Sequence, residues 1–111
     1  ESCGYGGDKA IFAFGRTGAA STATAISNLV SNSGVVAANT AGVGTARYDI
    51  AACKFGGDKG IFGFGYNASG GDMSITSLVS NVGVISADVT GVGTASVLML
   101  VELVVLMQVL V

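Results

Sequence analysis

The side chains best suited to chemistry in this sequence sit in two short, repeated motifs. Asp8-Lys9 and Asp58-Lys59 each follow a Gly-Gly pair, in the contexts Gly-Gly-Asp-Lys-Ala and Gly-Gly-Asp-Lys-Gly. A charged pair of this kind at the mouth of a channel could hold a polar ligand. The simpler reading is a tight turn, with glycines at positive φ and the aspartate bonding its own backbone. Such turns cluster on one edge of a repeat fold, so Asp8, Lys9, Asp58 and Lys59, together with Tyr66, are the candidate ligand-binding residues. Tyr66 closes a series, Tyr5, Phe12, Phe14, Phe55, Phe62, Phe64 and Tyr66, that is interleaved with glycine. Packing between units is its expected role, and a sugar-stacking platform is the sharper alternative. Asn67-Ala68-Ser69 spells an N-glycosylation acceptor, which matters only in a secreted eukaryotic protein.

Other chemistry finds little support. Cys3 and Cys53 occupy equivalent places in the repeat described below. Equivalent positions in neighbouring units should lie beyond the ~7 Å Cα separation a disulfide tolerates, so the expectation is two small buried thiols. Histidine is absent, which removes the usual base for a cysteine nucleophile and the commonest metal ligand. Glu1, Asp49, Asp72, Asp88 and Glu102 are scattered, and none pairs at a spacing that suggests acid–base work. No catalytic residue, metal or cofactor is therefore expected. Gly42-Val43-Gly44-Thr45-Ala46-Arg47 is only superficially like a phosphate-cradling loop, for β structure follows it rather than a helix. It reads as a connector between units.

Composition narrows the classes further. Of 111 residues, 50% are hydrophobic and 11% charged, with 18 glycines and no proline or tryptophan. Disordered chains are polar and charged, and collagen needs proline and a strict glycine triplet, so neither fits. A net charge of −2 with five Lys+Arg leaves no basic face for nucleic acid. ESCGYGG at the start has no signal-peptide character.

The elements that must position these residues come from an internal repeat. Gly4–Gly15 returns as Lys54–Gly65, and Ile26–Ala46 returns as Ile75–Ala95, in the same order. Unit one covers about residues 1–47 and unit two about 48–96. Within each unit the pattern is β, since glycine interrupts every window that could form a long helix. Ser-Asn-x-Gly at Ser31–Gly34 and Ser80–Gly83 marks hairpin turns. For the second unit the expected strands are Tyr48–Cys53, Gly60–Phe64, Ser74–Val79 and Val84–Ala87.

Four short antiparallel strands recurring every 40 to 50 residues fit β-propeller blades. The stretch RYDIAACKFGGDKGIFGFGYN resembles the kelch repeat, in which a small-residue inner strand leads to a Gly-Gly turn and an Ile-aromatic strand ending in Phe-Gly. It departs from that pattern after the second strand, where Gly15 and Gly65 stand singly, and in lacking tryptophan. The chromosome-condensation-regulator type of propeller has a similar rhythm and stays open. The resemblance implies an all-β chain of two four-stranded antiparallel propeller-type blades. Two blades cannot close a ring, so its completion would come from homo-oligomerisation or from neighbouring blades of a longer chain. A small face-to-face sandwich is the other packing.

Residues 97–111, VLMLVELVVLMQVLV, abandon the repeat. They are too short for a confident membrane span. Codons permitted from Ala95 onward, read two bases out of frame, can spell Ala-Cys-Arg-Val-Gly-Gly, so a frameshift is one reading of this tail. The functional expectation is a non-catalytic structural or interaction module, extracellular or on a particle surface. The alternative is a carbohydrate-binding lectin that gains avidity from several weak glycan sites.

Overall fold

A computed structural model of the chain describes residues 1–18 and 22–96. Among the described residues the fold is all-β and contains no helix. Unit one holds β1 (Ser2–Tyr5), β2 (Lys9–Ala13), β3 (Arg16–Thr17), β4 (Thr22–Ala23) and β5 (Ser27–Val30). Unit two holds β6 (Ala51–Phe55), β7 (Lys59–Gly63), β8 (Tyr66–Asn67), β9 (Gly71–Asp72) and β10 (Thr76–Val79). Two three-stranded sheets result, ordered β1-β2-β5 and β6-β7-β10, each wholly antiparallel, and neither closes on itself. Their registers match position for position: Cys3 faces Ile11 and Ile11 faces Leu29, while Cys53 faces Ile61 and Ile61 faces Leu78.

A fourth segment runs along the outer edge of each sheet. It is joined by single bridges, Val30 to Val36 and Ser27 to Thr40 in unit one, and Val79 to Ile85 and Thr76 to Val89 in unit two. The strand expected at Val84–Ala87 is therefore an irregular edge. The turns before it are built as their sequence predicts, with Ser31 N–H donating to the Val35 carbonyl at 2.9 Å and Ser80 N–H to that of Val84 at 2.9 Å.

The inner strand of unit two starts later than expected, at Ala51 rather than Tyr48. Asp49 takes a φ of +53°, which breaks the extended chain and turns Tyr48 away to pair with Tyr66. A similar break ends β2 and β7. Phe14 and Phe64 have φ of 63° and 64°, and the glycine after each is also left-handed. Holding a phenylalanine there costs about 1–2 kcal/mol. Burial of the Phe14 ring against Phe62, centroids 5.3 Å apart, offsets it. This kink sends the chain into the small hairpins β3–β4 and β8–β9, which the sequence reading did not anticipate.

The core lies between the two sheets. Tyr5, Ile11 and Phe14 of unit one meet Phe62, Val79 and Ile85 of unit two there, all buried. Each large side chain so buried stabilises the fold by about 1.5–3 kcal/mol. Glycine permits the close approach of the inner strands: a Cβ on Gly60 would come within 2.6 Å of Cys3 Sγ. The cysteines correct the expectation of two buried thiols. Cys3 faces unit two and is half-buried, whereas Cys53 is exposed because no sheet among the described residues covers its side of unit two. Both are free thiols. The aromatic series divides likewise, since Phe12 and Phe55 are exposed rather than packed between units.

Candidate functional site: the turn rim and the junction between units

The Gly-Gly-Asp-Lys motifs form the β1–β2 and β6–β7 hairpin turns. Both glycines of each pair have positive φ, from 62° to 85°, as the turn reading requires. The aspartate, however, reaches beyond its own turn. Asp8 Oδ1 pairs with Lys9 Nζ at 3.0 Å, and its Oδ2 accepts from Asn32 Nδ2 at 2.9 Å. Asp58 repeats this with Lys59 at 3.1 Å and Asn81 at 3.1 Å. The asparagine amide first, and the lysine after it, hold both carboxyls below the ordinary aspartate range. Asn32 and Asn81 were missed by the sequence reading as rim residues, although each occupies the same place in a repeated Ser-Asn-x-Gly turn. A hydrogen bond from Gly6 N–H to the Asp58 carbonyl, 2.6 Å, ties the two rim turns together. Aspartate, lysine and asparagine thus make one short polar row per unit on a common edge.

Tyr66 does not join that row. It follows the far end of β7 from Lys59, where its ring meets Tyr48 edge-on with centroids 5.5 Å apart. The Arg16 guanidinium lies over the other ring of this pair, 5.2 Å from the Tyr48 centroid. A cleft of about 380 Å³ opens beside Tyr48, lined also by Ala23, Ala46, Asn67 and Ser69. Asn67 is held within it: its Nδ2 donates to the Ala46 carbonyl at 2.9 Å and its Oδ1 accepts from Gly70 N–H at 2.6 Å. The amide nitrogen that a glycan would modify thus already uses one of its two N–H groups in the bond to Ala46.

The most elaborate polar arrangement lies where unit one hands over to unit two, and the sequence reading passed over it. Arg47, at the end of the connector, is fully buried. Its Nε donates to the Phe64 carbonyl at 2.8 Å, Nη1 to the Thr45 carbonyl at 2.9 Å, and Nη2 to Ser77 Oγ at 3.2 Å. Asp88 lies 4.0 Å from Nη1 and accepts from the Thr45 hydroxyl and N–H at 2.6 and 3.1 Å. The guanidinium also sits 4.5 Å over the Phe14 ring. Burial pulls the Arg47 pKa below its ordinary value and Asp88 opposes that, but a guanidinium so well supplied with acceptors keeps its charge. The result is a clasp, one side from the connector of unit one and the other from β10 and the edge segment of unit two.

Among the described residues no group of three or more Cys, Asp or Glu side chains could hold a metal ion. No helix among them is long and apolar enough to cross a membrane, and the apolar tail lies outside the described residues. No family model matches the chain, nor does any curated protein or solved structure.

Proposed function

We propose that the chain is a non-catalytic structural or interaction module made of kelch-like, propeller-type blades. The carrying observation is the face-to-face packing of two equivalent sheets, locked by the Arg47 clasp and repeated down to the Asp–Lys–Asn row on one edge. Such packing supports a solenoid or ring whose stability comes from contacts between adjacent units. Low charge and repetition suit a rigid assembly piece displayed outside the cell or on a particle surface. The repeated edge row would then be the surface offered to a partner.

A lectin is the second reading, favoured by the cleft beside Tyr48 and Asn67. A glycan array separates the two. For the structural module the array stays silent. Reproducible sugar binding that is lost in Tyr66→Ala or Asp58→Ala would replace this reading with the lectin.

A further inference from the structure

Each sheet has two faces, and the two units use opposite ones where they meet. Unit one presents the face of Tyr5, Ile11, Phe14 and Leu29; unit two presents that of Phe62, Ser77, Val79 and Ile85. The repeat therefore leaves each unit with a face whose counterpart is buried in the other. Phe12 is 51% exposed where its equivalent Phe62 is 0%, and Val36 is 55% exposed where Ile85 is 7%. On the far side of the molecule, Phe55 is 40% exposed where Tyr5 is 4%.

The shapes match as well as the exposures. At the internal junction the Gly83 turn of unit two inserts against Tyr5 and Leu29, so closely that a Cβ would lie 2.9 Å from both side chains. In its counterpart, the Gly34 turn of unit one, a Cβ on that glycine would meet nothing within 4 Å among the described residues. The groove that would receive it is open on unit two, about 390 Å³ in volume and lined by Phe55 and Leu78, the equivalents of Tyr5 and Leu29. A second apolar hollow of about 270 Å³, floored by Cys53, Ile61 and Phe64, adjoins it on the same sheet.

Polar partners change together. Where the connector of unit one ends in Arg47, the receiving positions are Ser77 and Asp88. Where the connector of unit two ends in Ser96, the equivalent receiving positions in unit one are Asn28 and Asn39, already bonded to each other at 2.8 Å. Cation meets carboxylate at the inner junction, and hydroxyl would meet amide at the outer one, so neither buries an unpaired charge.

We infer that a second copy of this chain docks head to tail, its Phe12–Val36 face seated on the Ile61–Leu78 face of the first. This rests on the module reading above and supplies its partner. The contact is heterologous, so successive copies close into a ring if the rotation permits and otherwise extend as a filament. One detail differs from the inner junction. Ala10 stands where Gly60 stands, so Cys53 must turn its sulfur aside where Cys3 lies flat over glycine.

The test uses the full chain and two variants, Phe12→Asp and Ile61→Asp, with oligomeric state read by light scattering and native mass spectrometry. The wild type is expected to assemble and each variant alone to be monomeric. An equimolar mixture of the variants should give a one-to-one complex, since each retains the face the other lacks. If either variant loses its native circular dichroism, Val36→Asp and Leu78→Asp probe the same two faces from more exposed positions. A folded monomeric wild type overturns the proposal. So does a variant that still dimerises by itself, which would mean the same face meets itself, or a monomer that assembles only after residues 97–111 are removed, which would make the tail the occupant. A folded monomer that is silent on the glycan array defeats the docking alone. Sugar binding on that array defeats the module reading, whatever the oligomeric state.

Discussion

Arg47 shows how a single buried side chain joins two repeats whose shared core is apolar. Its three donated hydrogen bonds reach Thr45 in the connector and Phe64 and Ser77 in unit two, so Arg47→Met leaves several acceptors without a donor. The expected loss is about 3 kcal/mol in denaturant unfolding. Asp88→Asn, which can keep part of the contact with Thr45, is expected to cost about 1 kcal/mol. Arg47→Ser combined with Asp88→Asn makes the clasp neutral, as the outer faces are, while Ser77 remains where they carry Asn28. It should cost less than the sum of Arg47→Ser and Asp88→Asn measured separately. The rim carboxylates act through pH. Asp8 and Asp58 have depressed folded-state pKa values, so what they add to stability is fully present above the unfolded aspartate value of about 4 and disappears as pH falls through the folded values. Asp8 is exposed and Asp58 partly so, and solvent screening keeps the effect small, so Asp8→Asn with Asp58→Asn should flatten the acid limb of the stability curve below about pH 4.

At the scale of elements, the two Ser-Asn-x-Gly turns are a matched pair in different surroundings. Gly34 and Gly83 both need positive φ, 84° and 82°, so alanine strains either by about 1–2 kcal/mol. Gly83 alone is packed against Tyr5 and Leu29. Gly83→Ala should therefore lower the melting temperature more than Gly34→Ala in a monomeric sample, and the difference measures the fit of the turn into unit one. The same glycine pattern explains why the hairpins were legible. Gly-Gly-Asp-Lys and Ser-Asn-x-Gly each specify a turn by local chemistry. The small hairpins β3–β4 and β8–β9 were not, because their strands are two residues long and depend on left-handed Phe14 and Phe64. Phenylalanine has no local preference for that conformation. Its ring is placed by packing.

Across the whole molecule, the sheets share one core but differ in what covers their outer sides, and the two cysteines report this directly. Cys53 is exposed on the open face of unit two, whereas Cys3 is half-buried at the junction, and burial first among several causes pushes its thiol pKa up. Alkylation followed by peptide mapping should modify Cys53 before Cys3 at protein concentrations low enough to keep the chain monomeric. The reverse order would place the Cys53 face inside and the junction outside. The rim residues lie on one edge for the same reason of scale: stacked sheets bring equivalent turns side by side. The two turns touch, through the Gly6–Asp58 bond, by stacking rather than by nearness in sequence.

Repetition, glycine punctuation and the absence of helical windows made the all-β class and the hairpin turns legible from sequence alone, because each depends on local backbone preference. The identity of the clasp could not be read that way. Arg47, Ser77 and Asp88 are separated by up to 41 positions, and nothing near any of them marks it as a partner of the others. The division of Phe12 from Phe62, and of Cys53 from Cys3, was equally hidden. Equivalent residues carry the same local signal, and only the stacking of one sheet on the other decides which is buried.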